Sequence, residues 1–524
     1  MKKLYFILAL VLIMGLVCPM TAITISAAKP GRRVQIPRID KKGGWSSWIQ
    51  VQNVGDEETG AVVFFWGAYS GLCPTNDPGP IDHACMSIPE NGVWTLKGTI
   101  PAKADSAIVY SVDRDLFGEA CEEAGDALGD TAAWRRWKNR YEGTGQPLAV
   151  TVNRAGPNDF GTTVSSTYVG IDETMEGRGP PYSYFAAYLM KAYHNLDTEM
   201  AIQNSGRHCT SVWIYYQEQG ICRLGYAQHI QQLAPGEAVR VRVPRVPELG
   251  DNSDWLGCAY ITADQPLGII VDQTSFPPSA DRAMLLTCRA NPYKDSEGTT
   301  LYADLIYREL GGWSASIQVQ NLTQYSQPAF VTVEFLDNSG GSILFLSDWI
   351  CANGSMTFYL PAIIDLGFNY VGAAVIHSRD QPIFAVVDLK HPSTKQGGSY
   401  NAHAKHEGES ILDIALPSLN KDHQGVTSLI AIRNNSNSGV TVELEISDQT
   451  GTIVTKLPSF WLPPSHVKAI DLARIGSLVP GFVGAGRVEV IGSVGEVMIS
   501  TVVAERGSGP GDITRVYEGI PVIE

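Results

Sequence analysis

Four groups of residues in this chain have types and spacings that would do chemistry. NAHAKHEGE at 401–409 brings His403, His406 and Glu407 together, side chains that a zinc ion takes as ligands. DNSD at 251–254 offers the carboxylate and amide oxygens that suit calcium. WRRWKNRY at 134–141 interleaves Trp134 and Trp137 with Arg135, Arg136, Lys138 and Arg140, a pattern able to stack on a sugar or a peptide. The fourth group is the set of nine cysteines.

The first two groups are weak. The histidine spacing matches no zinc motif and lies in a polar stretch between repeats, so it reads as solvated linker. DNSD reads first as a turn. A GxSxG elbow, an HExxH helix, a phosphate loop and an EF-hand loop are all missing from the sequence. The expectation is a non-enzymatic protein with no metal and no cofactor. The tryptophan group has two readings: a ligand platform made by Trp134, Arg135, Trp137 and Arg140, or packing of a helix onto the rest of the fold.

The cysteines depend on the compartment. Lys2 and Lys3 precede an apolar run from Leu4 to Val17, and small residues follow at Ser26, Ala27 and Ala28. This predicts a secretory signal peptide over 1–28, cleaved near Ala28. Val17 before Cys18 and Pro19 after it do not suit lipid attachment. No second long apolar segment follows, so no transmembrane segment is expected in the mature chain. Export leaves eight cysteines, an even number that predicts disulfides. Proximity suggests Cys73–Cys85 across a Pro- and Gly-rich loop, Cys209–Cys222 on a hairpin and Cys258–Cys288, with Cys121 and Cys351 left over. The formal charge of −15 excludes a nucleic-acid partner, which needs clustered Lys and Arg.

The elements that must position these residues come from an internal repeat. GWSSWIQVQN at 44–53 recurs as GWSASIQVQN at 312–321, with weaker copies DTEMAIQN at 197–204 and VTSLIAIRN at 426–434. Each alternates apolar and polar residues and ends on Asn: Asn53, Asn204, Asn321 or Asn434. Strict alternation marks a strand with one buried face. A turn and strand of the type DQPIFAVVD at 380–388 follows each Asn, 61, 60 and 61 residues later in the last three repeats and 93 later in the first. Further strands fall between, about seven per repeat. The fold class predicted is all-β: four tandem immunoglobulin- or fibronectin-like sandwiches over 29–172, 173–292, 293–400 and 401–524. Gly257, Gly372 and Gly484 recur within one of these strands and predict a bulge or a close backbone approach. Polar stretches at 170–183 and 391–410 read as linkers.

The extra residues of the first repeat lie at 113–144, before the turn. Their Ala, Glu and Arg content and low β-branching predict one or two short helices. Such an insertion is a place for a binding loop.

Taken together, GW, IQVQN, VGAAVI and DQPI resemble the tandem repeats of exported proteins of Chloroflexi-type bacteria. The resemblance is strongest in the third repeat and departs in the fourth, where Gly495-Glu496 replaces Gln-Pro. It implies an extracytoplasmic array of β-sandwiches and brings no activity and no site residues. The function expected is a secreted or cell-surface structural and adhesion protein. Its partners would be a cell-envelope component, an extracellular polysaccharide or another copy of itself. The alternative is a carbohydrate- or other ligand-binding protein that uses the insert; a hydrolase ranks last.

Overall fold

A strand with one apolar face must bury that face against a second layer, and alternation in this chain leads to paired sheets. The structure, a computed structural model, describes residues 29–522 apart from 72, 74–78, 158–162, 173–180, 251–253, 276–283, 293–297, 324–326, 405–409, 493–495 and 508–513. The expected signal peptide, His406, Glu407 and most of the DNSD stretch therefore lie outside the described residues.

In the first repeat the strands are β1 (Arg33–Ile36), β2 (Ser46–Asn53), β3 (Thr59–Trp66), β4 (Asp82–Ile88), β5 (Val93–Leu96), β6 (Ser106–Asp113), β7 (Leu148–Pro157), β8 (Thr163–Val169) and β9 (Ile171–Asp172). They make two antiparallel sheets, β4-β3-β6-β1-β9 and β5-β2-β7-β8. Ile49, Val51, Val63, Phe65, Val109, Val150 and Val152, every second residue of their strands, fill the space between them. Burying each such side chain contributes about 1.5–3 kcal/mol. The same strand order and the same two sheets recur from Tyr182, Thr300 and Asp413 onward, except that in the fourth repeat the edge strand is split into Ile453–Lys456 and Phe460–Leu462. The fold is four tandem β-sandwiches, as the alternation predicts.

Each repeat has two strands more than expected, the equivalents of β8 and β9. The stretch 391–410, read as linker, holds strands Gln396–Asn401 and His403–Ala404. Its Gly and Ser residues look like linker because the strand sits where backbones crowd. A Cβ on Gly398 would fall 2.3 Å from Val516 Cγ2. The recurrent glycines have the same cause: a Cβ on Gly257, Gly372 or Gly484 would fall 2.2, 2.0 or 2.1 Å from a neighbouring carbonyl.

The repeated Asn is a turn-holding residue. Asn53, Asn204, Asn321 and Asn434 each donate to two carbonyls, such as Ile88 and Glu57 for Asn53, at 2.7–3.1 Å. The oxygen of each accepts from the backbone amide two residues on. The Gln of the Gln-Pro turn braces the same loop, with Gln265 Oε1 accepting from the amides of Arg207 and His208.

The sandwiches close into a ring. β8, Leu285–Arg289, Gln396–Asn401 and Arg515–Glu518 pack on one another in a circuit, first on second, second on third, third on fourth and fourth on first. Tyr182–Lys191, the first strand of the second repeat, lies on Ser314–Asn321 and Ile383–His391 of the third. Thr300–Arg308 lies likewise on the fourth repeat, and Asp413–Lys421 lies on β2 and β7 of the first. One side chain of the QN pair crosses each interface. Gln52 Nε2 donates to Gly486 O at 3.4 Å, Gln203 to Ala107 O at 3.1 Å, Gln320 to Ala259 O at 3.3 Å, and the Arg433 guanidinium to Ala374 O at 3.2 Å. Across the centre, Arg289 of the second repeat donates to Glu518 of the fourth at 2.6 and 3.0 Å, both buried.

The disulfides correct the pairing read from proximity. Cys73 bonds Cys209, Cys85 bonds Cys121 and Cys222 bonds Cys351, while Cys258 and Cys288 are buried free thiols. Two of the three bonds join successive repeats, first to second and second to third. Pairing within a repeat was expected from a string of separate sandwiches; in a ring the nearest thiol belongs to the next repeat.

A side chain at Gly398 must push the third and fourth repeats apart. Gly398→Val is expected to destabilise the protein by about 1–3 kcal/mol. Gly476→Ala, whose Cβ meets nothing within 4 Å, should leave the melting midpoint unchanged. Thermal unfolding of the two variants beside the parent checks this, and an unshifted midpoint for Gly398→Val would contradict the packing.

Candidate functional site

The insert forms two helices, α1 (Phe117–Asp126) and α2 (Thr131–Tyr141). The Asp130 side chain accepts from the amides of Ala132 and Ala133 at 2.8 and 3.0 Å and so starts α2. The helices cover the outer face of β3 and β6. There Val62, Phe64, Trp66, Ile108, Tyr110 and Val112 meet Ala120, Ala124, Trp134, Trp137 and Tyr141 in a second core. Cys85–Cys121 ties α1 to β4.

The residues expected to form a ligand platform do not come together at a surface. Trp134 and Trp137 are 1% and 2% exposed. The Trp137 indole donates to Ala120 O at 2.7 Å and its ring stands edge-on to Phe64 at 4.7 Å. Trp134 stands edge-on to Trp66 at 5.4 Å. Arg140 is exposed and ion-paired with Glu119 and Glu123, and Arg135 is half-buried. The signal for packing lay in β3: AVVFFW is apolar at every position, unlike VTVEF or VTVEL, so its outer face needs a cover.

The histidine stretch is corrected as well. His403 is 4% exposed in the last strand of the third repeat, not in solvated linker. Its Nε2 faces Asp304 Oδ2 at 3.2 Å and Thr501 O of the fourth repeat at 3.2 Å. Burial pulls its pKa down, but Asp304 outweighs burial and holds the imidazole charged to higher pH than usual. Among the described residues, one His/Cys group has metal-ligand geometry, His83 with Cys85 and Cys121, and its two thiols are joined in the disulfide.

Clefts open where the repeats meet, each lined by the turn between the first and second strands of a repeat. Between the first and second repeats a cavity of about 360 Å³ is lined by Arg38, Asp40, Trp45, Glu199 and Arg240. Its charges satisfy one another. Arg154, fully buried, pairs with Asp40 at 3.0 Å and Asp272 at 2.6 Å, and Arg38 pairs with Asp272 and Glu199 at 2.6 Å. Burial alone would raise the Asp40 pKa, but Arg38, Arg154 and Arg240 together hold it well below the carboxylate range. A smaller cavity of about 240 Å³ lies between the fourth and first repeats, against Trp48, Lys97 and Arg515.

The cleft between the second and third repeats has a different character. Its cavity of about 420 Å³ is lined by Tyr193, His194, Gln219, Thr357, Tyr359 and Lys390, among others. Lys390 is ion-paired with Asp388 at 2.9 Å and lies over the Tyr188 ring. These residues come from two repeats and five elements, and no local motif joins them. What the sequence did offer was the repeat map, which places Tyr193 and Tyr359 at strand ends.

No protein-family model matches the chain, and no curated protein matches it. Among the described residues no helix is long and apolar enough to cross a membrane.

Lys138 of α2 is a buried cation with a measurable consequence. It is 1% exposed, with Glu142 at 3.6 Å and the Trp134 ring beneath it. Burial first, and then Arg33, lower its pKa to about 7. The unfolded chain holds this proton to about pH 10.5. The unfolded state therefore binds more protons between pH 7 and that limit, and stability rises with pH across this window. Lys138→Met is expected to stabilise the protein by roughly 1–2 kcal/mol at pH 6, with the gain fading towards pH 10.5. Melting curves of parent and variant from pH 6 to 10 test this, and a variant weaker than the parent at pH 6 would contradict it.

Proposed function

We propose that this protein is a non-enzymatic exported surface protein that acts as a rigid adhesive ring, holding cell-envelope material or extracellular polysaccharide, or other copies of itself. The observation that carries the reading is the closed circuit of four sandwiches. Buried amides cross its interfaces and two of its disulfides join successive repeats. Such a body loses little conformational freedom when it attaches, which favours contact through a fixed surface. Three disulfides fit an oxidising compartment outside the cell. The resemblance of the repeats to exported Chloroflexi-type arrays points the same way. The exposed aromatics Phe345 and Trp349 on the outer face of the third repeat, where the first repeat carries its insert, add contact surface.

Co-sedimentation of the mature protein with purified cell walls and with insoluble polysaccharides tests this. Retention on at least one of these materials, unchanged in Arg140→Ala on the insert, is the expected result. A protein that stays in the supernatant with all of them, and is monomeric at high concentration, would contradict adhesion.

A further inference from the structure

We infer that the cleft between the second and third repeats is a binding groove for a neutral glycan strand. The inference deepens the adhesion reading and rests on it for its biological sense. The groove is longer than one cavity. The space of about 420 Å³ adjoins a second of about 470 Å³, and the two share Ser316, Tyr359, Lys390 and Pro392. Both volumes fall in the range of small-ligand sites, about 300–1,000 Å³. Tyr359 stands between them with 52% of its surface exposed, a large aromatic side chain left in water at the middle of a groove.

The walls carry the two kinds of group that sugars need. A pyranose presents an apolar C–H face, which packs on an aromatic ring, and a rim of hydroxyls, which need donors and acceptors that carry no charge. Tyr359 supplies a ring from the third repeat. Tyr193 and His194, in edge contact at 4.5 Å, supply rings from the second. Asn195 and Gln219 supply amides, beside the hydroxyls of Thr357, which bonds Gln219 and Gln318, and of Ser316, which is buried against Tyr188. Gln219 is held for the purpose: its Oε1 accepts from Thr357 Oγ1 at 2.8 Å, while its Nε2 has the Met356 sulfur at 4.0 Å, a weak acceptor that a sugar hydroxyl would replace.

Charge decides between neutral and acidic glycans. Two amines line the groove: Lys390 in the floor is neutralised by Asp388, which is fully buried, and Lys395 is half-buried, while the carboxylate of Glu309 lines the adjoining space. The cleft between the first and second repeats is walled instead by the ion-paired Arg38, Asp40, Glu199 and Arg240, and its ring, Trp45, is half-buried. The walls are fixed relative to each other by Cys222–Cys351, which joins the turn that carries Gln219 to the third repeat. A groove set before the ligand arrives spares the ordering cost of binding.

The test uses the full mature chain on immobilised hexasaccharides of glucose, mannose, xylose and N-acetylglucosamine, with polygalacturonate as the acidic arm. Binding to at least one neutral glycan is expected. It should weaken about tenfold or more in Tyr359→Ala and fall in His194→Ala, and Arg140→Ala should leave it unchanged. Both groove residues are exposed, and unchanged melting curves confirm that the variants fold. Binding to polygalacturonate alone, no binding to any neutral glycan, or neutral binding indifferent to Tyr359→Ala would each overturn the inference. Cell-wall retention that survives Tyr359→Ala would remove the groove and keep adhesion. Glycan binding without wall retention would remove adhesion and keep the groove.

Discussion

A buried amide nitrogen without an acceptor costs about 1–3 kcal/mol, and the second strand of three repeats ends by placing such a group between two sandwiches. Gln52, Gln203 and Gln320 are all nearly inaccessible, and each finds its acceptor on the sixth strand of the preceding repeat. Arg433 does the same in the fourth repeat. Gln203 and Gln320 also donate within their own repeat, to Gly236 O at 2.9 Å and Asn353 O at 3.0 Å, so each amide bridges two sandwiches, and sliding them would leave one of its N–H groups unbonded. The contact recurs at every interface, and the fourth sandwich packs back on the first. The pair Arg289–Glu518 then joins the second and fourth repeats across the centre, and the close approach at Gly398 belongs to the contact between the third and fourth.

Symmetry explains the scaffold, and departures from symmetry explain where its surfaces differ. The interface between the first and second repeats is filled by a charge cluster around Arg154, Asp40 and Asp272, with the carboxyls held ionised by guanidinium groups on several sides. The next interface keeps one ion pair, Lys390–Asp388, beside tyrosines and uncharged polar groups. A similar substitution runs through the eighth strands. Tyr400 and Tyr517 each bond the backbone of their own first strand and Tyr168 bonds Arg38 just past its own, and the second repeat has Cys288 at that place. One repeat was thus free to change while the others kept the frame.

Much of the fold was legible because its causes are local. Alternation in IQVQN, the spacing to the Gln-Pro turn and the helical composition of 113–144 all reflect contacts within one repeat. The ring was not legible, because what closes it looks like something else in sequence. The Gln of the QN pair resembles an ordinary polar strand residue, and the Gly-Ser run at 397–399 resembles linker. The disulfide pairing failed for the same reason, since proximity along the chain says nothing about a neighbour contributed by the next repeat. The tryptophans of the insert could have been placed correctly from β3, whose unbroken apolar run demanded a cover. The candidate groove had no such signal: Tyr193, Gln219, Tyr359 and Lys390 meet only because the second and third repeats pack together.

Closure is therefore the claim on which the rigid ring and its adhesive reading depend, and small-angle X-ray scattering of the full chain tests it most directly. A closed ring of this length should give a radius of gyration of about 24 Å, the value for a compact body. Four sandwiches strung end to end would give about 40 Å or more, with a distance distribution tailing far beyond its peak, and that result would contradict the ring.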